Sequence, residues 1–61
     1  MIIAVIPSVI LNETKQPPWQ PVVQLIERGG RISVKHCAAT FATVEEAQKE
    51  AEVEAAWLLP A

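Results

Sequence analysis

Apolar and polar positions alternate differently in each third of this chain. Ile2-Ile3-Ala4-Val5-Ile6 is apolar at every position and mostly β-branched, which predicts a strand that is apolar on both faces. Pro7 removes a ladder donor, so the strand ends, bulges or lies at a sheet edge there, and Ser8-Val9-Ile10-Leu11 can continue it. A strand with no polar face needs cover on both sides, and in a short chain one cover can come from a second copy. Residues 12–21 read as a linker, because Pro17, Pro18 and Pro21 favour extended conformation over helix. Trp19, set among those prolines, reads as a lid over a core edge.

Residues 22–39 read as a β-hairpin around Gly29-Gly30. Two glycines suit a two-residue type I′ turn, which requires positive φ at both central positions. That turn sets Arg28 opposite Arg31, Glu27 opposite Ile32, Leu25 opposite Val34 and Val23 opposite His36. One face then gathers Val23, Leu25, Ile32, Val34 and Ala38, with Glu27 and His36 at its margins. The other carries Val22, Gln24, Ile26, Arg28, Arg31, Ser33, Lys35 and Cys37. The first is the expected core face and the second the wet one.

The last third has helical period. Thr43-Val44-Glu45-Glu46 is a capping box, with Thr43 as N-cap and Glu46 three residues on. The helix is predicted from about Val44 to Leu58, stopping before Pro60. Val44, Ala47, Ala51, Ala55 and Leu58 form one stripe, whose small alanines allow close approach to a sheet. Val53, Ala56 and Trp57 fall on the opposite side and form a candidate partner interface. Their cover could be the N-terminal strand, a second subunit or a different protein. The expected fold is therefore α+β, a single domain over residues 1–61. A small antiparallel sheet (apolar strand 1–11 plus hairpin 22–39) carries one helix (43–58) on one face, in the order β-β-β-α.

Composition narrows the function classes. The chain has 61 residues and one cysteine, Cys37, so no intrachain disulfide can staple it. Small domains without such staples often gain stability by association. Net charge is −2, which predicts no general attraction to nucleic acid or to a membrane. The apolar opening has no preceding basic residue and is too short to span a bilayer, so the expectation is a cytoplasmic protein without membrane contact. Up to residue 44, Lys15, Arg28, Arg31 and Lys35 outnumber Glu13 and Glu27; beyond it, five glutamates stand against Lys49.

No catalytic, cofactor-binding or metal-binding constellation is read from the sequence. His36 and Cys37 are adjacent on a strand and so point to opposite faces, which separates a would-be base from its nucleophile. The glutamates of the helix lie at solvated i, i+4 spacing, and the two glycines form no phosphate loop. Two readings remain. The first is a non-catalytic protein–protein interaction or accessory module acting as a homo-oligomer, with a heterologous protein as the other partner. The alternative is a DNA- or RNA-binding ribbon using Gln24, Arg28, Arg31 and Lys35 on the wet face of the hairpin.

Pro21-Val22-Val23 through Thr43-Val44-Glu45-Glu46-Ala47 to Ala51 resembles several short ββα modules, among them the HicB antitoxin type. The resemblance covers about half the chain. It implies a small dimeric protein that masks a partner. The extra apolar strand in front and the lack of a DNA-binding segment after the helix depart from that pattern.

Overall fold

A computed structural model describes residues 2–58. Met1 and Pro60, the expected helix stop, lie outside them. The elements are β1 (Ile2–Leu11), β2 (Trp19–Glu27), β3 (Ile32–His36) and α1 (Val44–Leu58). They form a three-stranded antiparallel sheet in the order β1-β2-β3, followed by one helix: the β-β-β-α fold that the sequence predicts.

β1 runs unbroken through Pro7, with a bulge between Ile2 and Ala4. Its position explains the tolerance. β1 is an edge strand, and Pro7 pairs with Val23, whose polar backbone groups face β3, so the missing N–H points away from the sheet. The expected linker is shorter than 12–21, because Trp19, Gln20 and Pro21 belong to β2. What remains is a loop closed by the Asn12 N–H donating to the Pro18 carbonyl at 2.8 Å. Within it, Asn12 Oδ1 accepts from the Thr14 N–H at 3.1 Å and from the Thr14 hydroxyl at 2.6 Å, an Asx turn.

The β2–β3 turn corrects the expected register. Gly29 and Gly30 both have positive φ, +103° and +92°, as the sequence requires. Yet the Gly30 N–H donates to the Glu27 carbonyl (3.0 Å) and the Glu27 N–H to the Arg31 carbonyl (2.8 Å). The loop is thus three residues, Arg28-Gly29-Gly30, with Gly29 at the third position of a four-residue turn and Gly30 where a bulge needs it. Ile26 pairs with Ile32, Leu25 with Ser33, Gln24 with Val34, Val23 with Lys35 and Val22 with His36. This is one residue from the expected register, and a one-residue slip turns every side chain of a strand to the other face. Ile32 and Val34 therefore do not join Val23 and Leu25.

The helix packs on β1 and β2 and marks its own side of the sheet. The Lys35 ammonium donates to Glu54 Oε1 of α1 at 2.8 Å, so Lys35, Val23, Leu25 and their β1 partners Pro7 and Val5 form the covered face. Ala47 and Ala51 are fully buried and Ala55 nearly so, the small stripe that lets the helix settle close. Its start is capped as predicted: the Glu46 N–H donates to Thr43 Oγ1 (3.2 Å), and the Thr43 hydroxyl to Glu46 Oε1 (3.0 Å).

Candidate functional site

The opposite face of the sheet has no such cover among the described residues. By register it carries Ala4, Ile6, Ser8 and Ile10 from β1, Gln20, Val22, Gln24 and Ile26 from β2, and Ile32, Val34 and His36 from β3. Val22 is buried at the centre of the middle strand. Around it the large side chains are open to solvent: Ile32 is 61% exposed and Val34 51%, with Ile6 and Ile10 near 40%. No Asp, Glu, Lys or Arg stands among these eleven positions, and His36 is the one titratable group. The face is therefore mostly apolar and without fixed charge, with Ser8, Gln20, Gln24 and His36 as its polar positions.

A polar clamp closes one end of the sheet. Pro21 lies opposite Cys37, whose N–H donates to the Pro21 carbonyl at 3.0 Å. In an antiparallel ladder such a pair exchanges two hydrogen bonds, but Pro21 has no N–H to return. Gln20 supplies the missing donor from its side chain: Nε2 donates to the Cys37 carbonyl at 2.8 Å. Its other end is also held, Oε1 accepting from Asn12 Nδ2 at 3.0 Å. Gln20 is 6% exposed, so both bonds are needed at this depth. Past the clamp, Phe41 returns to bridge Trp19, its N–H donating to the Trp19 carbonyl at 2.7 Å. Neither the clamp nor the bare face is legible in the residues alone, since both follow from the register.

The residues singled out from the sequence are divided by the fold. Val53, Ala56 and Trp57 all lie exposed on the outer side of α1, Trp57 at 80%, and no described element covers them. The N-terminal strand, one expected cover, packs against the inner side of the sheet–helix layer instead. The candidate nucleic-acid residues do not share a face. Gln24 lies on the bare side with Val34, whereas Lys35 lies on the helix side and is bound to Glu54. Arg28 and Arg31 sit at the turn, and Arg31 Nε is 3.6 Å from Glu27 Oε2. The slip that moved Ile32 and Val34 also took the expected basic ribbon apart.

A second small surface lies between α1 and the exit from β3. A cleft of about 290 Å³ is lined by residues 35–39, His36 among them, and by Glu50 and Glu54 of α1. Burial pushes the Cys37 thiol up from its ordinary value, and the Glu54 and Glu50 charges push the same way. A thiol so held is mostly protonated and a poor nucleophile at neutral pH. The hydrogen bond to Glu54, with its charge, raises Lys35. Among the described residues no cluster of three or more His, Cys, Asp or Glu could hold a metal, and no helix is long and apolar enough to cross a membrane.

No family model, curated protein or solved structure matches the chain. The resemblance to HicB-type modules gains no support from these comparisons.

Proposed function

We propose that this protein is a non-catalytic, self-associating interaction module whose bare sheet face is covered by a second copy. The observation that carries this reading is the uncharged face itself, with Ile6, Ile10, Ile32 and Val34 open to solvent on a domain whose own core is small. Among the described residues the buried apolar ones are Val22, Val23, Ala47, Ala51 and Ala55, with Pro21 beside them. A core of this kind rarely supplies more than about 3–5 kcal/mol, so any burial gained by pairing is a large fraction of the total. A face without fixed charge suits an identical face, which meets it with no ion left unpaired.

Size sets the expected strength. Strands about 4.8 Å apart with a rise of about 3.3 Å per residue give this face roughly 400 Å² in projection. Specific interfaces commonly use about 800 Å² per partner, so the pairing is weak and concentration-dependent rather than permanent. Light scattering across a wide concentration range tests it directly. The expected result is a mass that rises with concentration, with Ile6→Lys lowering the mass reached at a given concentration. A chain that stays monomeric at millimolar concentration overturns the reading. If Trp57→Glu abolishes pairing and Ile6→Lys leaves it intact, the outer helix ridge is the interface instead.

A further inference from the structure

We propose that β3 is a pairing edge for a second copy of this chain, joining two sheets into one continuous antiparallel sheet through a two-fold axis at Val34. The inference goes beyond the face-packing reading, because it uses backbone groups at the rim of the sheet rather than side chains on its face.

The two edges of the sheet differ in what they offer. Across β2–β3 the Glu27 N–H donates to the Arg31 carbonyl and the Cys37 N–H to the Pro21 carbonyl. The alternation of an antiparallel ladder then turns the N–H and C=O groups of Ile32, Val34 and His36 outward, away from β2. All five residues of β3 are exposed, and α1 packs on β1 and β2, leaving β3 clear except for the Lys35–Glu54 ion pair. The other edge is obstructed. On β1 the outward backbone includes Pro7, which has no donor to offer, and a bulge interrupts the strand between Ile2 and Ala4. A lysine often guards an exposed edge, but Lys35 is drawn onto the helix side by Glu54. β3 is thus the edge left open.

Overlap and charge together select one register: an axis at Val34, the middle of the five-residue β3, pairs the strand along its full length, whereas an axis at Ile32 or His36 leaves half of it unpaired. Identical antiparallel strands can pair only where outward groups meet outward groups, so each residue faces a partner of its own parity. With Val34 on the axis, it faces the partner subunit's Val34, Ile32 faces the partner subunit's His36, and Ser33 faces the partner subunit's Lys35. About six backbone hydrogen bonds result, and no like charges stand opposite each other. Moving the axis to Ser33 sets Arg31 against the partner subunit's Lys35. Moving it to Lys35 sets that residue against its own copy. Both arrangements oppose like charges directly and are destabilised. Because facing residues share a side of the sheet, the two helices lie on the same side and the two bare faces merge into one.

Amide exchange with light scattering tests the proposal. In the wild type, the Ile32, Val34 and His36 amides are expected to gain protection as concentration rises. Val34→Pro removes an outward N–H that takes no part in the intrachain ladder, so it is expected to weaken association about tenfold or more and to abolish that protection at Ile32 and His36. Val34→Ala, which trims the side chain and keeps the donor, is expected to retain the protection at Ile32 and His36, so that any loss of association it shows reports the side chain alone. Ile6→Lys charges the bare face from β1, two strands away, and is expected to leave edge protection in place even where it abolishes face packing. Two results overturn the inference: these amides exchanging unprotected in the wild type at the highest concentration, or Val34→Pro associating as Val34→Ala does.

Discussion

The sheet has two largely apolar faces, and the described residues pack a helix on one of them. Under the helix, Val23 has no exposed surface, and it meets a stripe of alanines small enough to bring α1 down onto β1 and β2. On the far side the same strand carries Gln20 and Val22, buried among their neighbours, and Gln24 and Ile26, half-buried, with no described element packed over them. The contrast separates two roles that apolar residues play in a small domain. Those beneath α1 hold the monomer together. Opposite, Ile6, Ile10, Ile32 and Val34 stand exposed beside Ser8, Gln24 and His36, which keep that face partly polar.

Substitutions on the two faces should therefore differ, and the largest effect is expected under the helix. Ala51→Leu forces a large side chain into a fully buried contact and is expected to destabilise by about 3 kcal/mol, enough to unfold much of the population. Val23→Ala should cost about 2 kcal/mol in denaturant unfolding, whereas Val34→Ala in dilute solution should change stability by less than about 0.5 kcal/mol. Equal losses at Val23 and Val34 would erase the distinction between the faces.

The clamp comes next. Gln20→Ala leaves the Cys37 carbonyl without a donor and is expected to cost about 1–3 kcal/mol. Pro21→Ala restores a backbone N–H at the position facing that carbonyl. The double variant should accordingly be more stable than the two single losses added together, and simple additivity in a double-mutant cycle would show that the side chain does not replace the backbone donor. Thr43→Ala, which removes the helix cap, should cost about 1 kcal/mol by thermal unfolding.

The smallest effect concerns Lys35. Its bond to Glu54 raises its pKa above the ordinary 10.5, so the contribution it makes is fully present at neutral pH. It is lost as pH rises through the raised value. A wild-type minus Lys35→Met difference in melting temperature should be small at pH 7 and vanish above that pKa.

Much of this was legible in the residues. Thr43 and Glu46 announced the helix start, the alanine spacing announced its inner side, and Val53 with Trp57 announced an uncovered outer ridge. β1 was recognisable because β-branched residues without a polar period suit a strand. What escaped was parity. Gly29-Gly30 is compatible with both a two-residue and a three-residue loop, since each wants positive φ at these glycines. The grouping that gathered the most apolar residues on one side favoured the shorter loop. The chain adopts the longer one, which puts Lys35 on the helix side and Ile32 and Val34 on the bare side. The Gln20 clamp escaped for the same reason: Pro21 is seen to orphan a carbonyl only when Cys37 is known to lie opposite.

The three-residue loop has a consequence for how this surface could change. Arg28 is at present a loop residue, and counting it as strand would rotate β3 by half a turn about its own axis. Gly29→Asn would create the dipeptide most suited to a two-residue turn and draw Arg28 into the ladder. Ile32 and Val34 would then turn toward the helix side, and Ser33 and Lys35 would turn outward onto the bare one. A single substitution at the tip of a hairpin, touching no residue of either face, would exchange a greasy rim for a charged one.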